Sequence, residues 1–295
     1  MIKTLKHILK LYLFWLLLFA ALRLLFLVFN AKYFEQSNIG VFPYIFLYAL
    51  RLDISAASYL ILIPAVMLLV NLVWHHVFLN KLFTYFHYLI LFLVIAAMLG
   101  NIVIYYYWAA MLSKRALQFL QDPAEVLASV TFLQTAGGLL LFAFLYGSSL
   151  ILFNRIKLGQ LPQISGNVFL KLLTLPLLVF IIAYSLRGGF QLIPVNESSC
   201  YFSNKTSENH AAINSLWFLI RNVLLSERAG KQKFVFYDDE TCNKLFHSLM
   251  KHTPDTSNCF INNPHPNIVI IIGESHTADV VEALGGEQGN SPHLD

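Results

Sequence analysis

Over the first 186 positions apolar and polar residues do not alternate. Apolar residues come in long runs, separated by short polar stretches. A membrane-crossing helix needs about 20 mostly apolar residues, because the hydrocarbon core is roughly 30 Å thick and a helix rises about 1.5 Å per residue. Five runs meet that length and predict helices over Leu11–Phe29, Ile54–Trp74, Leu82–Tyr107, Phe132–Phe153 and Phe169–Leu186. Val41–Leu52 is also largely apolar, so the second helix could begin earlier. The first run does not read as a cleavable signal peptide: it is longer than such a peptide's apolar stretch, and no small-residue cleavage site follows it.

Beyond Leu186 the pattern changes. Residues 187–226 are rich in Gly, Asn, Ser and aromatics. Within them Ile213, Leu216, Trp217, Ile220 and Val223/Leu224 recur at helical spacing and predict an amphipathic helix over Ala211–Leu225, lying on a membrane surface or packed on the following domain. A shorter helix is expected near Asp239–Lys251, with Leu245, Phe246 and Leu249 on one face. Asn267–Ile272 reads as a buried parallel strand. It runs into Gly273-Glu274-Ser275, then a short helix with Val280, Val281 and Leu284 on its apolar side, ended by Gly285-Gly286. Strand, tight turn and helix are the opening of an α/β domain. The expected architecture is an α-helical membrane domain of five transmembrane helices (1–186), an extracytoplasmic linker with an amphipathic helix (187–265) and the truncated start of an α/β domain (266–295).

Composition agrees with this pattern. Hydrophobic residues make up 57% of the 295, charged residues 12%, and the mean hydropathy is +0.63. Soluble domains carry roughly 25% charged residues. The net charge of +4 forms no compact basic stripe with interleaved aromatics, so nucleic acid is not an expected partner.

The placement of charge sets an expected orientation. Lys3, Lys6 and Lys10 precede the first run, and His75, His76, Lys81, Arg155, Lys157 and Lys171 fall on the same side. That bias predicts a cytoplasmic N-terminus and, after five crossings, an extracytoplasmic C-terminal part. Tyr105, Tyr106, Tyr107 and Trp108 close the third run, and Trp74 the second, like interfacial belts. Arg23, Arg51 and Asp53 fall in the outer half of the bilayer, where charge is costly unless paired or functional. They read either as an Arg–Asp pair locking the first two helices or as a site for an anionic lipid head group. His87 reads as a packing residue rather than a proton relay. A Cys242–Cys259 disulfide is compatible with an oxidising compartment, and no metal-type Cys/His spacing is present. Glu274 follows a strand, where ligands of α/β sheets bind; its carboxylate would serve either a metal or the N-terminus of the next helix.

Several of these stretches carry a resemblance. Asn267-Ile-Val-Ile-Ile-Ile-Gly-Glu-Ser, Ala283-Leu-Gly-Gly and Ser291-Pro-His-Leu-Asp resemble the opening of the sulfatase-like domain in the lipoteichoic acid synthase family. Upstream, Arg51-Leu-Asp-Ile-Ser, Tyr107-Trp108, Arg187-Gly-Gly-Phe-Gln-Leu-Ile-Pro and Asn209-His-Ala-Ala-Ile-Asn are similar to its membrane part and linker. The resemblance implies a bacterial cytoplasmic-membrane phosphotransferase of the alkaline-phosphatase superfamily. Such an enzyme moves phosphoglycerol or a related phospho-alcohol from a phospholipid through a covalent phospho-threonine, with Mn or Zn activating the nucleophile. It makes Glu274 the first metal ligand and phospholipid head groups the partners. Gly273-Glu274-Ser275 is closer to the sister phosphoethanolamine transferases than to the Met-Glu-Ser of the synthases, so the transferred group stays open.

The family's nucleophilic Thr and remaining ligands have no matching positions in this sequence, and Ser275 and Thr277 read as helix-start residues. A lone strand and helix cannot bury a core. The expectation is therefore a fragment that holds no metal and has no activity by itself. The rival expectation is a non-catalytic lipid-binding or regulatory membrane protein with a sulfatase-like outer domain. A transporter is disfavoured by the absence of an internal repeat.

Overall fold

The computed structural model describes residues 2–73, 76–119, 130–162, 168–231, 236–251, 267, 269 and 277–290. They form two compact units, Met1–Lys233 and Phe234–Asp295. No strand occurs among the described residues.

The first unit is a helix bundle. Its long helices are α1 (Ile2–Phe29), α2 (Val41–Val73) and α3 (Val77–Trp108), then, beyond the short α4 (Lys114–Gln118), α5 (Phe132–Arg155) and α6 (Val168–Arg187). Among the described residues, four stretches are long and apolar enough to cross a membrane: Thr4–Phe29, Val41–Asn71, Val77–Trp108 and Phe132–Arg155. Where the sequence predicts a fifth crossing, α6 is a helix of 20 residues. The helices overrun the apolar runs because backbone hydrogen bonding continues past the last apolar side chain. Thus α1 starts nine residues ahead of Leu11 and includes Lys3, Lys6 and Lys10, and α2 takes in the apolar forerunner from Val41.

Packing follows from spacing. On α1 the buried stripe includes Ile8, Leu11, Trp15, Phe19, Leu22 and Phe26, three or four apart, while Leu5, Leu9, Leu13, Leu17, Leu24 and Val28 on other faces stay exposed. A helix that is apolar inside and outside belongs in lipid. Facing α1, α2 presents Ala56, Ala57 and Ala65 to the core, and small side chains let two backbones approach where no water-driven term holds them together. Pro64 of α2 and Pro176 of α6 sit inside helices, which membrane bundles tolerate. Helix α5 packs on α3 at the periphery and buries only Ser149 and Phe153. Its N-terminus is closed by a capping box between Thr131 and Gln134.

The linker departs from the single helix expected over Ala211–Leu225. It forms two helices, α7 (Thr206–Ala212) and α8 (Ser215–Lys231), broken at Ile213-Asn214. Asn214 ends the continuity because its Oδ1 accepts from the Trp217 N–H at 3.1 Å, a cap that starts a new helix. Helix α8 packs on α2, α3 and α4, burying Leu216 and setting Trp217 against the core.

In the second unit, α9 (Asp239–Leu249) forms where expected, with Asp238 accepting from the Thr241 N–H at 3.1 Å. The helix expected around Val280–Leu284 is instead two 3-10 turns, Ala278–Val280 and Glu282–Leu284. Between them Val281 is extended at φ −117° and ψ 112°, which interrupts helical hydrogen bonding. Gly285 closes the second turn at φ +89°, a left-handed position that suits glycine. Most of the strand expected over Asn267–Ile272 lies outside the described residues, as do Trp74, Cys259, Glu274, Ser275 and Ser291–Asp295.

Candidate functional site

The end of the bundle where α1 finishes and α2 begins gathers most of the buried charge. Arg23 and Asp53 are 3% and 2% exposed and meet as a bidentate pair, Nη1 to Oδ2 at 2.7 Å and Nη2 to Oδ1 at 2.8 Å. Guanidinium and carboxylate match in that planar fork. The third guanidinium nitrogen, Arg23 Nε, donates to the Ala211 carbonyl at 2.9 Å. Asn214 Nδ2 donates to Asp53 Oδ1 at 2.8 Å. Two membrane helices and both halves of the linker thus close on one ion pair. Of the two readings of these charges, the locking pair is what forms. Arg51, by contrast, is exposed, donates to the Ser199 carbonyl at 3.3 Å and lies 5.9 Å from the Tyr48 ring centre.

Neighbouring contacts extend the node. Ser55 Oγ donates to the Leu186 carbonyl at the end of α6, at 2.9 Å. Glu208 is buried on α7, where it accepts from Ser37 Oγ at 2.6 Å and lies 3.9 Å from Lys205 Nζ. Asn209 Oδ1 accepts from the Phe202 and Ser203 N–H groups at 3.0 Å each, fixing the chain that enters α7. His210 Nδ1 lies 3.2 Å from Tyr105 Oη, and burial lowers the His210 pKa. Cys200 Sγ donates to the Tyr48 carbonyl at 3.4 Å. Burial first, and the Asp53 charge second, push its thiol up to about 12. A thiol so held is not a nucleophile at neutral pH.

The loop after α6 is set by glycine and arginine. Gly188 lies at φ +78°, and a Cβ there would fall 2.6 Å from Val195 Cβ. Arg187 donates to the carbonyls of Gln191 and Leu192 at 2.8 and 2.9 Å. The loop holds Phe190 and Leu192 out at 80% and 96% exposure.

The residues singled out in the sequence fare differently. Tyr106, Tyr107 and Trp108 are surface aromatics, and Lys32 Nζ sits 3.7 Å from the Tyr106 ring centre. Tyr105 is buried and belongs to the node, not to a belt. His87 packs among Phe83, Phe86 and Phe153, with Nδ1 at 2.8 Å from the Phe83 carbonyl. Cys242 is an exposed free thiol. Thr277 precedes the first 3-10 turn and gives it no side-chain cap. Glu274 is outside the described residues, and among those residues no group of three or more His, Cys, Asp or Glu could hold a metal.

Sequence reasoning missed the two linker partners of the ion pair, the Ala211 carbonyl and Asn214. The available signal was Asn214-Ser215 interrupting an apolar period, the usual mark of a helix start. Comparison with protein-family models, with curated proteins and with solved structures finds no match to this chain.

Proposed function

We propose that this chain is the membrane-anchored N-terminal part of a metal-dependent phosphotransferase, which moves a phosphoglycerol or related phospho-alcohol group from a phospholipid to an extracytoplasmic acceptor. In this reading five helices cross a bacterial cytoplasmic membrane, α6 being the fifth. The N-terminus is cytoplasmic, and the chain beyond Arg187 faces outward, where residues 266–295 open a sulfatase-like α/β domain.

One observation supports the reading beyond the sequence resemblance itself. Of the four upstream stretches that resemble the synthase family, 51–55 and 209–214 meet at one place although far apart in the chain, and 187–194 begins beside it. From Arg51-Leu-Asp-Ile-Ser, Asp53 binds Asn214, and Ser55 binds the carbonyl of Leu186, the residue before Arg187-Gly-Gly. Asn209-His-Ala-Ala-Ile-Asn supplies the Ala211 carbonyl to Arg23. Such an arrangement fixes the linker on the membrane bundle.

The chemistry itself would lie with Glu274. Bound there, a divalent cation would lower the pKa of a hydroxyl nucleophile and offset charge on phosphoryl oxygens. A single carboxylate is a poor site for such an ion, so the other ligands must come from elsewhere in a full-length protein.

The test uses the full-length gene product in membranes supplied with head-group-labelled phosphatidylglycerol or phosphatidylethanolamine. Transfer of label with Mn or Zn present, and loss of both bound metal and transfer in Glu274→Ala, are the expected results. Unchanged metal content and transfer in that variant would remove Glu274 from the site. Absence of transfer in the unaltered protein would leave the non-catalytic lipid-binding alternative.

A further inference from the structure

We propose that a groove between α2 and α8 holds one hydrocarbon chain of a membrane lipid, selected by its shape and not by its head group. The proposal does not depend on the phosphotransferase reading. The groove encloses about 400 Å³, within the range of roughly 300–1,000 Å³ that small-molecule sites occupy. One wall is Ala56, Tyr59 and Leu60 of α2, and the other is Leu216, Ile220 and Leu224 of α8. Ile193 and Asn196 close one end.

The surroundings identify the occupant. The α2 wall lies within the stretch Val41–Asn71, which is apolar enough to cross a membrane. Tyr59, Leu62, Ile63 and Val66 beside it are exposed, so whatever fills the groove comes from the hydrocarbon that bathes them. A second apolar crevice of about 130 Å³ lies further along the same helix, between Leu62, Val66 and Leu69 of α2 and Val179, Ile182 and Leu186 of α6. Positions 59, 62, 66 and 69 share one stripe of α2. From Tyr59 to Leu69 the axial rise is about 15 Å at 1.5 Å per residue. A track of that length along a membrane helix runs parallel to an extended acyl chain.

Charge at the groove argues against head-group choice. Among the described residues that line it, the one charged is Arg221. That guanidinium is paired with Glu197 and lies 5.2 Å from the Trp217 ring centre. Glu197 already offsets that charge through Nη1, which weakens its pull on an anionic head group, whereas a methylene chain needs no charge partner.

The full chain, reconstituted into phosphatidylcholine vesicles carrying a photoreactive diazirine on the acyl chain, tests this. After irradiation, label should concentrate on Tyr59, Ile220 and Leu224 above the lipid-facing Leu139, Leu140 and Phe144 of α5. The same excess should appear when the vesicle lipid is phosphatidylglycerol. Ile220→Trp or Leu224→Trp, both at exposed positions, should abolish the excess while α5 labelling persists, which shows that the bundle is intact. Even labelling along all helices overturns the proposal. So does an excess that survives both variants, one that appears only with anionic lipid, or a groove left unlabelled because protein covers it.

Discussion

A buried charge is stable only while every one of its partners is present, and Asp53 has three donors on it. Replacing one member of such a pair leaves the other uncompensated and typically costs about 3–5 kcal/mol, whereas replacing both with apolar residues of similar volume is often neutral or better. Asp53→Leu should therefore lower the thermal midpoint in detergent sharply, and Arg23→Met with Asp53→Leu should recover much of the loss. Equal destabilisation by the single and double changes would show that the pair is not the unit. Two other residues of the node set a pH window. His210 is held below the ordinary histidine value of 6.5 by burial, so the unfolded chain takes up the proton more readily. The contribution of a neutral His210 is present above pH 6.5 and fades as pH falls below it. Cys200 has the opposite sense: its thiol rises from 9.0 to about 12, so its contribution is full below pH 9 and fades as pH climbs toward 12. A melting series from pH 8 to pH 5 should show a decline that His210→Gln flattens, and a slope unchanged in that variant would assign it to another group.

Among the elements, the α7–α8 break carries the most information. Asn214 caps the Trp217 N–H with its oxygen and binds Asp53 with its nitrogen, so one side chain both begins a helix and fixes where it begins. Asn214→Ala should cost about 1–2 kcal/mol through the cap alone, more with Asp53 deprived of a donor, and should speed hydrogen exchange at the Trp217 amide. Slow exchange there would mean that α8 starts without its cap. Gly188→Ala should disturb the loop after α6, because the φ of +78° is strained for alanine and its Cβ would overlap Val195; a strained residue of this kind costs on the order of 1–3 kcal/mol. Helix α8 was legible in sequence because Leu216, Trp217, Ile220 and Leu224 keep a helical period. Its start was not, since Asp53, the partner that fixes Asn214, lies 161 positions earlier and leaves no trace in local spacing. The strand expected over Asn267–Ile272 depends even more on distant chain, because a strand is defined by the neighbour it pairs with.

For the molecule as a whole, the apolar runs were legible because length and hydropathy alone determine whether a helix suits a bilayer. Likewise the Arg23–Asp53 pair could be anticipated, since opposite charges at one depth in lipid have few alternatives to each other. The exposure of Leu192 offers a direct check on topology. If α6 crosses, a cysteine at Leu192 and one at Lys3, each in a chain whose own cysteines are replaced by serine, should react with a membrane-impermeant maleimide from opposite sides of oriented vesicles. Labelling of both from the same side would leave four crossings and reverse the side on which α7 and α8 lie.

The ion pair also bears on how this protein can be divided. Composition changes after Leu186, yet the compact unit continues to Lys233, with Ala211 and Asn214 bound to Arg23 and Asp53 and α8 packed on the bundle. A chimera joined just after α6 would give the bundle a foreign linker and leave a guanidinium donor and a carboxylate acceptor sealed in apolar surroundings without mates. A join that replaces the second unit therefore belongs after α8, and bundle and linker must travel as one cassette.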